Sequence, residues 1–233
     1  MSGHPLDRPV WNALSTRQAA FAQGGERARR FVPEVGPLAG ARDDDAASLA
    51  ELARLEGTLL ILQADPVVIP PGRTATVTGA GVQMVATDLT RDAARAGDRG
   101  VEPLTEDDFP AMRALAELTK PGPFAARTPV LGQFWGVKDH GVLVAMAGER
   151  LAHGGFTEVS GVCTHPDARG RGLARILSAL VASRIVDRGE TPYLHAYATN
   201  TVAIRLYESL GFRLRRAMHV AALAPRAGAR LAE

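Results

Sequence analysis

The stretch HPDARGRGLARIL, residues 165–177, decides the fold because it joins a turn rich in glycine and arginine to a helical pattern. Arg169, Gly170, Arg171 and Gly172 form the turn, and the apolar helical spacing begins directly after it. Glycine lets a backbone approach a ligand closely, and the first N–H groups of a helix have no partner within it. The stretch therefore predicts a site for an anion such as a pyrophosphate at a helix N-terminus.

Two other phosphate-binding motifs do not fit this turn. It lacks the Gly-Lys-Ser/Thr ending of a P-loop, and its glycines do not have the G-x-G-x-x-G spacing of dinucleotide-binding folds.

The chain from residue 103 onward predicts a helix, three strands, a helix, a strand, a helix and a strand, which is a mixed α/β order. These elements cover residues 103–122, 133–151 (a hairpin around Asp139–Gly141), 156–164, 172–186, 191–198, 201–210 and 212–223.

The first hundred residues predict a smaller α/β domain. A helix is expected between Asp43 and Gly57, and TLLILQA after it reads as a buried strand. Two further strands, TATVT and VQMVAT, are expected on either side of Gly79 and Gly81. The polar stretch 90–100 reads as a linker, so the predicted domains are residues 1–98 and 99–233.

Composition and charge exclude several classes of protein. The 233 residues carry a formal net charge of +2, which gives no electrostatic case for nucleic-acid binding. Cys163 is the one cysteine, so neither an intrachain disulfide nor a cysteine-based metal cluster is expected. No apolar run has the length of a signal peptide or a membrane span. We therefore expect a cytoplasmic protein with no metal, no membrane contact and no nucleic acid.

Two sequence signatures give the chain a resemblance to a known family. Arg169, Gly172 and Ala174 match the R-x-x-G-x-G/A signature of the GNAT superfamily, the acyl-CoA-dependent N-acyltransferases. YATNTVAIRLYESLGF, residues 197–212, is similar to the second signature of that superfamily. The resemblance covers residues 100–224 and is strongest to the branch related to glycine N-acyltransferase. It implies a GNAT-type sheet, mixed and mostly antiparallel, flanked by helices.

The resemblance also implies an acyl donor and the residues that bind it. The donor is acetyl-CoA, and the second substrate is an unidentified amine. Backbone groups of the strand before the turn would pair with the pantetheine arm, and N–H groups of the turn would hold the pyrophosphate. The second signature would contact the pantetheine or thioester, with Tyr207 giving a proton to the departing thiolate. The expected binding residues are Val162, Cys163, Thr164, Arg169, Gly170, Arg171, Gly172, Leu173, Ala174, Asn200, Ala203 and Tyr207.

A base is also needed, because a protonated amine cannot attack a thioester. Glu158 is the first candidate and Glu149 the second, with His153 and His165 behind them. Each has a structural alternative, since Glu158 can be a solvated strand residue and Tyr207 a packing residue. Cys163 allows an acyl-cysteine intermediate, although a small buried role is the alternative. A basic cluster either meets the CoA 3′-phosphate or is a solvated surface, and it comprises Arg205, Arg213, Arg215 and Arg216.

The sequence thus predicts an N-acetyltransferase acting by direct attack of a primary amine of a small molecule or peptide. An idle acyl-CoA-binding regulatory module is the alternative, and a nucleic-acid-binding domain is a weaker one. The acceptor amine and the length of the acyl group stay open. The helix-then-strand order of the N-terminal domain is compatible with a degenerate relative of the same fold. This domain lacks the glycine–arginine turn and is expected to bind no CoA. It would shape the acceptor pocket or an oligomer interface, which leaves a homodimer open.

Overall fold

Eleven strands and five α-helices are present in the computed structural model, which describes residues 3–89 and 100–226. The helices are α1 (Pro9–Ser15), α2 (Ala46–Arg54), α3 (Phe109–Thr119), α4 (Leu173–Asp187) and α5 (Thr201–Ser209). The strands are β1 (Ala22–Gly24), β2 (Ala28–Phe31), β3 (Leu38–Ala41), β4 (Leu59–Gln63), β5 (Arg73–Ala86), β6 (Val101–Pro103), β7 (Phe134–Asp139), β8 (Val142–His153), β9 (Phe156–Thr164), β10 (Thr191–Tyr197) and β11 (Phe212–Pro225). The predicted linker lies outside the described residues except for Gly100.

All the strands belong to one sheet, in the order β1-β2-β3-β4-β11-β5-β10-β9-β8-β7-β6. Only the β3–β4 and β9–β10 pairs are parallel, and the other neighbours are antiparallel. The predicted mixed, mostly antiparallel sheet flanked by helices is thereby confirmed. Outward from the central β11–β5 pair, both directions begin with an antiparallel and then a parallel pairing, followed by two antiparallel pairings on the β11 side and three on the β5 side.

The two predicted domains share this sheet. Strand β5 comes from residues 1–98, yet both of its neighbours, β10 and β11, come from residues 99–233. In return, β11 lies between β5 and β4. The boundary between the two domains stays a prediction. Each part contributes a strand that pairs with strands of the other part.

One prediction about the N-terminal part is wrong. TATVT and VQMVAT belong to the single strand β5, because β11 pairs with it along its whole length, from Phe212–Ala86 to Pro225–Arg73. That ladder keeps the backbone extended through Gly79 and Gly81. The short elements α1, β1, β2 and β3 were not predicted, since none has the length to show a clear apolar period.

The sheet has apolar side chains on both faces, which we name by what covers them. The helical face lies under α4 and α5, where Leu194 packs with Leu173 and Leu177. The N-terminal face carries Tyr193 and packs against α1 and the segment before it, which contribute Leu6, Val10 and Leu14. Tyr193 and Leu194 are adjacent on β10, so their side chains point to opposite faces.

Candidate active site

An opening in the sheet provides the site. Strands β9 and β10 pair only from Phe156–Thr191 to Glu158–Tyr193, and no pairing continues beyond these residues. A cavity of about 710 Å³ lies at this opening, with walls from both strands, the turn after β9, α4 and α5. The opening lets the cavity reach both faces of the sheet.

Nearly all of the predicted CoA-binding residues line this cavity. Those that do are Val162, Cys163, Thr164, Arg169, Gly170, Gly172, Leu173, Ala174, Asn200, Ala203 and Tyr207. Arg171 is the exception, because its exposed guanidinium turns to Asp139, with Nη1 2.9 Å from Oδ2. The structure thus brings two separate sequence signatures to one cavity.

The turn before α4 presents free donors. Gly170 and Gly172 have φ angles of +77° and +74°, which glycine adopts without strain. No protein acceptor within the described residues bonds the N–H groups from Gly170 to Ala174. His165, a weaker base candidate, accepts the Asp167 N–H at 3.3 Å and so shapes the turn. These N–H groups at the start of a 15-residue helix form a favourable anion site.

Strand β9 contains a bulge beside the cavity. Cys163 pairs with Met146 and Ser160 with Gly148, so β9 has one more residue than β8 between these pairs. Gly161 has a φ of +62°. A bulge leaves backbone groups outside the ladder, here next to residues that line the cavity. An isolated glycine within a strand pattern is the sequence signal for such a bulge, and the sequence analysis did not use it.

Tyr207 on α5 places a protonated hydroxyl at the cavity. Its ring packs at a tilt against Phe212, and the side chain is almost buried. Burial raises the pKa of Tyr207 to about 12, so the phenol keeps its proton at neutral pH. Burial likewise raises the pKa of Cys163 to about 11, which keeps this residue a thiol.

Glu158 is fully engaged by protein groups. Its carboxylate accepts hydrogen bonds from Nε and Nη2 of Arg150, both at 2.8 Å, and lies 2.7 Å from His195 Nδ1. Burial favours a raised pKa, but the Arg150 guanidinium outweighs it and holds the pKa of Glu158 well below its usual range. The side chain is 1% exposed and does not line the cavity, whereas Arg150 and His195 do.

The other candidate bases also lie away from the cavity wall. Glu149 forms an ion pair with Arg188, Oε1 to Nη1 2.9 Å. His153 is buried beside Tyr193, and burial lowers its pKa to about 4. Neither residue lines the cavity. The sequence analysis missed Arg150 and His195, because their link to Glu158 crosses three strands that no local pattern connects.

His195 is held at both ring nitrogens. Nε2 lies 2.9 Å from Gln83 Nε2, and the same amide nitrogen donates to the Leu6 carbonyl at 2.8 Å. The Gln83 amide oxygen accepts from Arg215 at 2.7 Å. Gln83 therefore presents an N–H to Nε2, and the ring proton sits on Nδ1 and is donated to Glu158.

The predicted basic cluster does not line the cavity. Arg215 pairs with Asp7 at 2.6 Å and Arg216 with Asp65 at 2.8 Å, so both are used to fasten the N-terminal part. The cavity instead has four other cations on its wall, and none of its lining residues in the described chain is acidic. These cations are Lys120, Arg150, Arg169 and Arg175.

No group of three or more histidine, cysteine, aspartate or glutamate residues is placed to hold a metal ion in the described parts. Within residues 3–89 and 100–226, no helix combines the length and apolar character needed to cross a membrane.

Comparison with known proteins places the chain in a family. The family model described as FR47-like protein matches residues 135–220. A GNAT-family structure from Novosphingobium aromaticivorans is 45% identical, with 96% of this chain and 100% of that one covered, at a TM-score of 0.88. A GCN5-related N-acetyltransferase from Kribbella flavida is 18% identical, covers 97% of each chain and has a TM-score of 0.64, which supports the fold alone.

No curated protein sequence matches the chain. The Novosphingobium likeness nevertheless extends over almost the whole of both chains, far beyond the two signatures. The chain belongs to the GNAT family of acetyltransferases.

Proposed function

We propose that the protein transfers an acetyl group from acetyl-CoA to the primary amine of a small molecule or peptide. One observation carries this proposal: a single cavity joins the free N–H groups before α4 to the protonated hydroxyl of Tyr207. The first feature suits a pyrophosphate, and the second suits a leaving thiolate. A module that only binds acyl-CoA has no need of the second.

Acetyl-CoA is bound in this proposal by the turn, by β9 and by α5. The N–H groups from Gly170 to Ala174 hold the pyrophosphate, and Arg169 adds charge from the cavity wall. The backbone from Val162 to Thr164 pairs with the pantetheine arm, and Asn200 stands near the thioester. The side chain of Arg171 has no direct part, since Asp139 engages its guanidinium.

The chemistry is direct transfer. The amine nitrogen attacks the thioester carbonyl, the carbon–sulfur bond breaks, and Tyr207 protonates the departing sulfur. An acyl-cysteine route through Cys163 is disfavoured, because the raised pKa keeps the nucleophilic thiolate scarce.

Glu158 enters the mechanism through His195. The carboxylate fixes the imidazole, whose ring reaches the cavity. For Nε2 to receive the amine proton, the Gln83 amide must turn away from it. Glu158 is then a positioning residue, and Glu149 has no role because it pairs with Arg188 outside the cavity wall.

Residues 1–98 are proposed to be a degenerate half of the same fold that binds no CoA. The first four pairings outward from β11 and from β5 follow the same order, which supports this. The turn before its helix α2 holds Asp43, Asp44 and Asp45 in place of glycines and arginines. The likeness to glycine N-acyltransferase and a homodimer stay proposals that rest on sequence alone.

The test combines binding with turnover. Calorimetry should detect acetyl-CoA binding to the wild type, and a Gly172→Val variant should lose it, because a β-branched residue is strained at this φ and blocks the approach of the pyrophosphate. Thiol release with acetyl-CoA and a panel of primary amines should reveal acceptors. A folded Gly172→Val protein with full acetyl-CoA affinity would remove the proposed binding mode.

A further inference from the structure

The cavity continues past β5 onto the N-terminal part of the sheet. Leu38 on β3, Leu62 on β4 and Val220 on β11 line it there. Leu62 and Val220 are direct cross-strand partners, so their side chains lie on the same face. This group, the apolar wall, lies on the N-terminal face, the same face as Tyr193 and His195.

Gly81 keeps the apolar wall joined to the rest of the cavity. It lies on β5, paired with Tyr197 of β10 on one side and Met218 of β11 on the other, and it lines the cavity. A glycine there has no side chain to divide the space. An extended body can therefore reach from His195 to Leu62 along one trough.

The charges around this trough are of one sign. Arg150 is the cation of the N-terminal face that lines the cavity, and its partner Glu158 is already used by Arg150 and His195. The apolar wall contains no ionisable group, and no acidic residue of the described chain lines the cavity. A second positive charge on an acceptor would lose its hydration there without gaining a carboxylate.

We propose that the acceptor carries its amine on an apolar body without a second cationic group, and that Leu38, Leu62 and Val220 bind that body. This inference rests on the proposed acetyl transfer and names its substrate class. The amine loses one proton as its nitrogen forms the amide bond, the carbon–sulfur bond breaks, and CoA leaves as the thiol. Polyamines and other polycationic acceptors are excluded by this arrangement of charge.

Three amines test the wild-type protein with acetyl-CoA: propylamine, hexylamine and 1,6-diaminohexane. Burial of each added methylene should raise kcat/KM by roughly four-fold, so hexylamine should exceed propylamine by at least ten-fold. The kcat/KM for 1,6-diaminohexane should be at least ten-fold lower than that for hexylamine, although the diamine has two reactive amines. Equal rates for propylamine and hexylamine, or a diamine as good as hexylamine, overturn the inference.

A charge placed in the apolar wall should reverse the preference. Val220→Asp should raise the ratio of diamine to hexylamine kcat/KM by at least ten-fold with acetyl-CoA affinity kept. Ala222→Asp is the matched control, because it is two residues further on the same face of β11 and does not line the cavity. Its ratio should equal that of the wild type. If Val220→Asp does not fold, the kcat/KM values of the wild-type protein with the three amines still test the inference.

The outcomes separate this inference from the proposed function. Absence of acetyl-CoA binding overturns both. Binding of acetyl-CoA with acetylation of propylamine and hexylamine at equal rates overturns only the acceptor class. If the protein binds acetyl-CoA but does not acetylate hexylamine, the proposed acceptor class is also overturned. Hexylamine carries its amine on an apolar body without a second cationic group and therefore belongs to that class.

Discussion

At the scale of single residues, Tyr207 and Glu158 differ in the protonation state that their surroundings favour. Tyr207 is buried without a cation beside it, so its pKa rises and the proton stays on. Glu158 is equally buried, but Arg150 neutralises it, so the proton stays off. Two titratable groups are thus fixed in opposite states, so the Tyr207 phenol can donate a proton and the Glu158 carboxylate can hold His195.

Replacement of Tyr207 by phenylalanine should lower turnover by about 10²–10⁴-fold, because packing is kept and only the proton donor is lost. Acetyl-CoA affinity measured by calorimetry should stay within about two-fold, since the hydroxyl acts mainly in the transition state. In the wild type, Tyr207 should remain able to donate its proton at pH values above the ordinary tyrosine pKa of about 10, because burial raises the pKa of Tyr207. Full turnover in the variant, with chemistry rate-limiting, would make Tyr207 a packing residue.

Replacement of Glu158 by glutamine should destabilise the fold by about 3–5 kcal/mol, because Arg150 is left buried without a counter-charge. Glu149→Gln is the matched control and should cost under about 1 kcal/mol, since its partner Arg188 is largely exposed. Urea unfolding at neutral pH measures both. Equal losses in the two variants would contradict the buried-pair argument.

The pH dependence of this pair has a definite sign. The folded-state pKa of Glu158 is lowered, so its stabilisation is present above the ordinary glutamate pKa of about 4.3. It is lost as the pH falls toward the lowered value, because the unfolded chain then binds more protons. The gap in stability between wild type and Glu158→Gln should therefore narrow in acid.

At the scale of elements, the bulge in β9 depends on glycine for two independent reasons. Gly161 has a φ of +62°, and a Cβ there would lie 2.7 Å from Phe134 Cε1. Phe134 is itself buried and has little room to move. The backbone of β9 can thus leave the ladder beside the cavity only with glycine at this position.

Gly161→Ala should cost about 1–3 kcal/mol more than Gly154→Ala, measured by chemical unfolding. Both positions have positive φ and share the backbone strain of about 1–2 kcal/mol. Only Gly161 meets a packed side chain, whereas a Cβ at Gly154 meets nothing within 4 Å. Gly161→Ala should also weaken acetyl-CoA binding, and equal costs for the two variants would argue against the clash.

Predictability from sequence followed the length and regularity of each element. The hairpin around Asp139–Gly141 and the capped helix after Asn200 were predicted, because turn and cap chemistry is local. The short strands β1, β2 and β3 were not, since pairing with neighbours rather than a long pattern defines them. At the site, the signatures predicted the cavity wall, while Arg150 and His195 emerged only from contacts between distant strands.

At the scale of the whole molecule, the two halves of the sheet differ in whether the first N–H groups of the helix after a parallel strand are capped. Helix α4 begins at Gly172 without a side-chain cap, so its N–H groups are free. Helix α2 begins after Asp45, whose carboxylate accepts the Ser48 N–H at 2.6 Å. The Ser48 hydroxyl also helps to lower the pKa of Asp43 to about 2, so this carboxylate stays ionised and pairs with Arg42.

Calorimetric titration should accordingly give one acetyl-CoA per chain. The Asp45 carboxylate already caps the start of α2, so the N-terminal half is expected to offer no second site for a pyrophosphate. Gly172→Val should remove the whole signal and leave no residual weak site. A stoichiometry near two, or binding that survives in that variant, would show that the cap at α2 does not prevent binding.

The central β11–β5 pair has a consequence for how the protein is made. Leu59 pairs with Leu223, and Val85 pairs with both Tyr193 and Arg213, so β4 and β5 find neighbours among strands more than a hundred residues later in the chain. On a ribosome, β4 and β5 emerge long before β10 and β11 and must wait with bare edges. Pairing between such distant residues is slow and leaves strands open to wrong partners. The pairing of β4 and β5 is therefore completed only after β11 has left the exit tunnel.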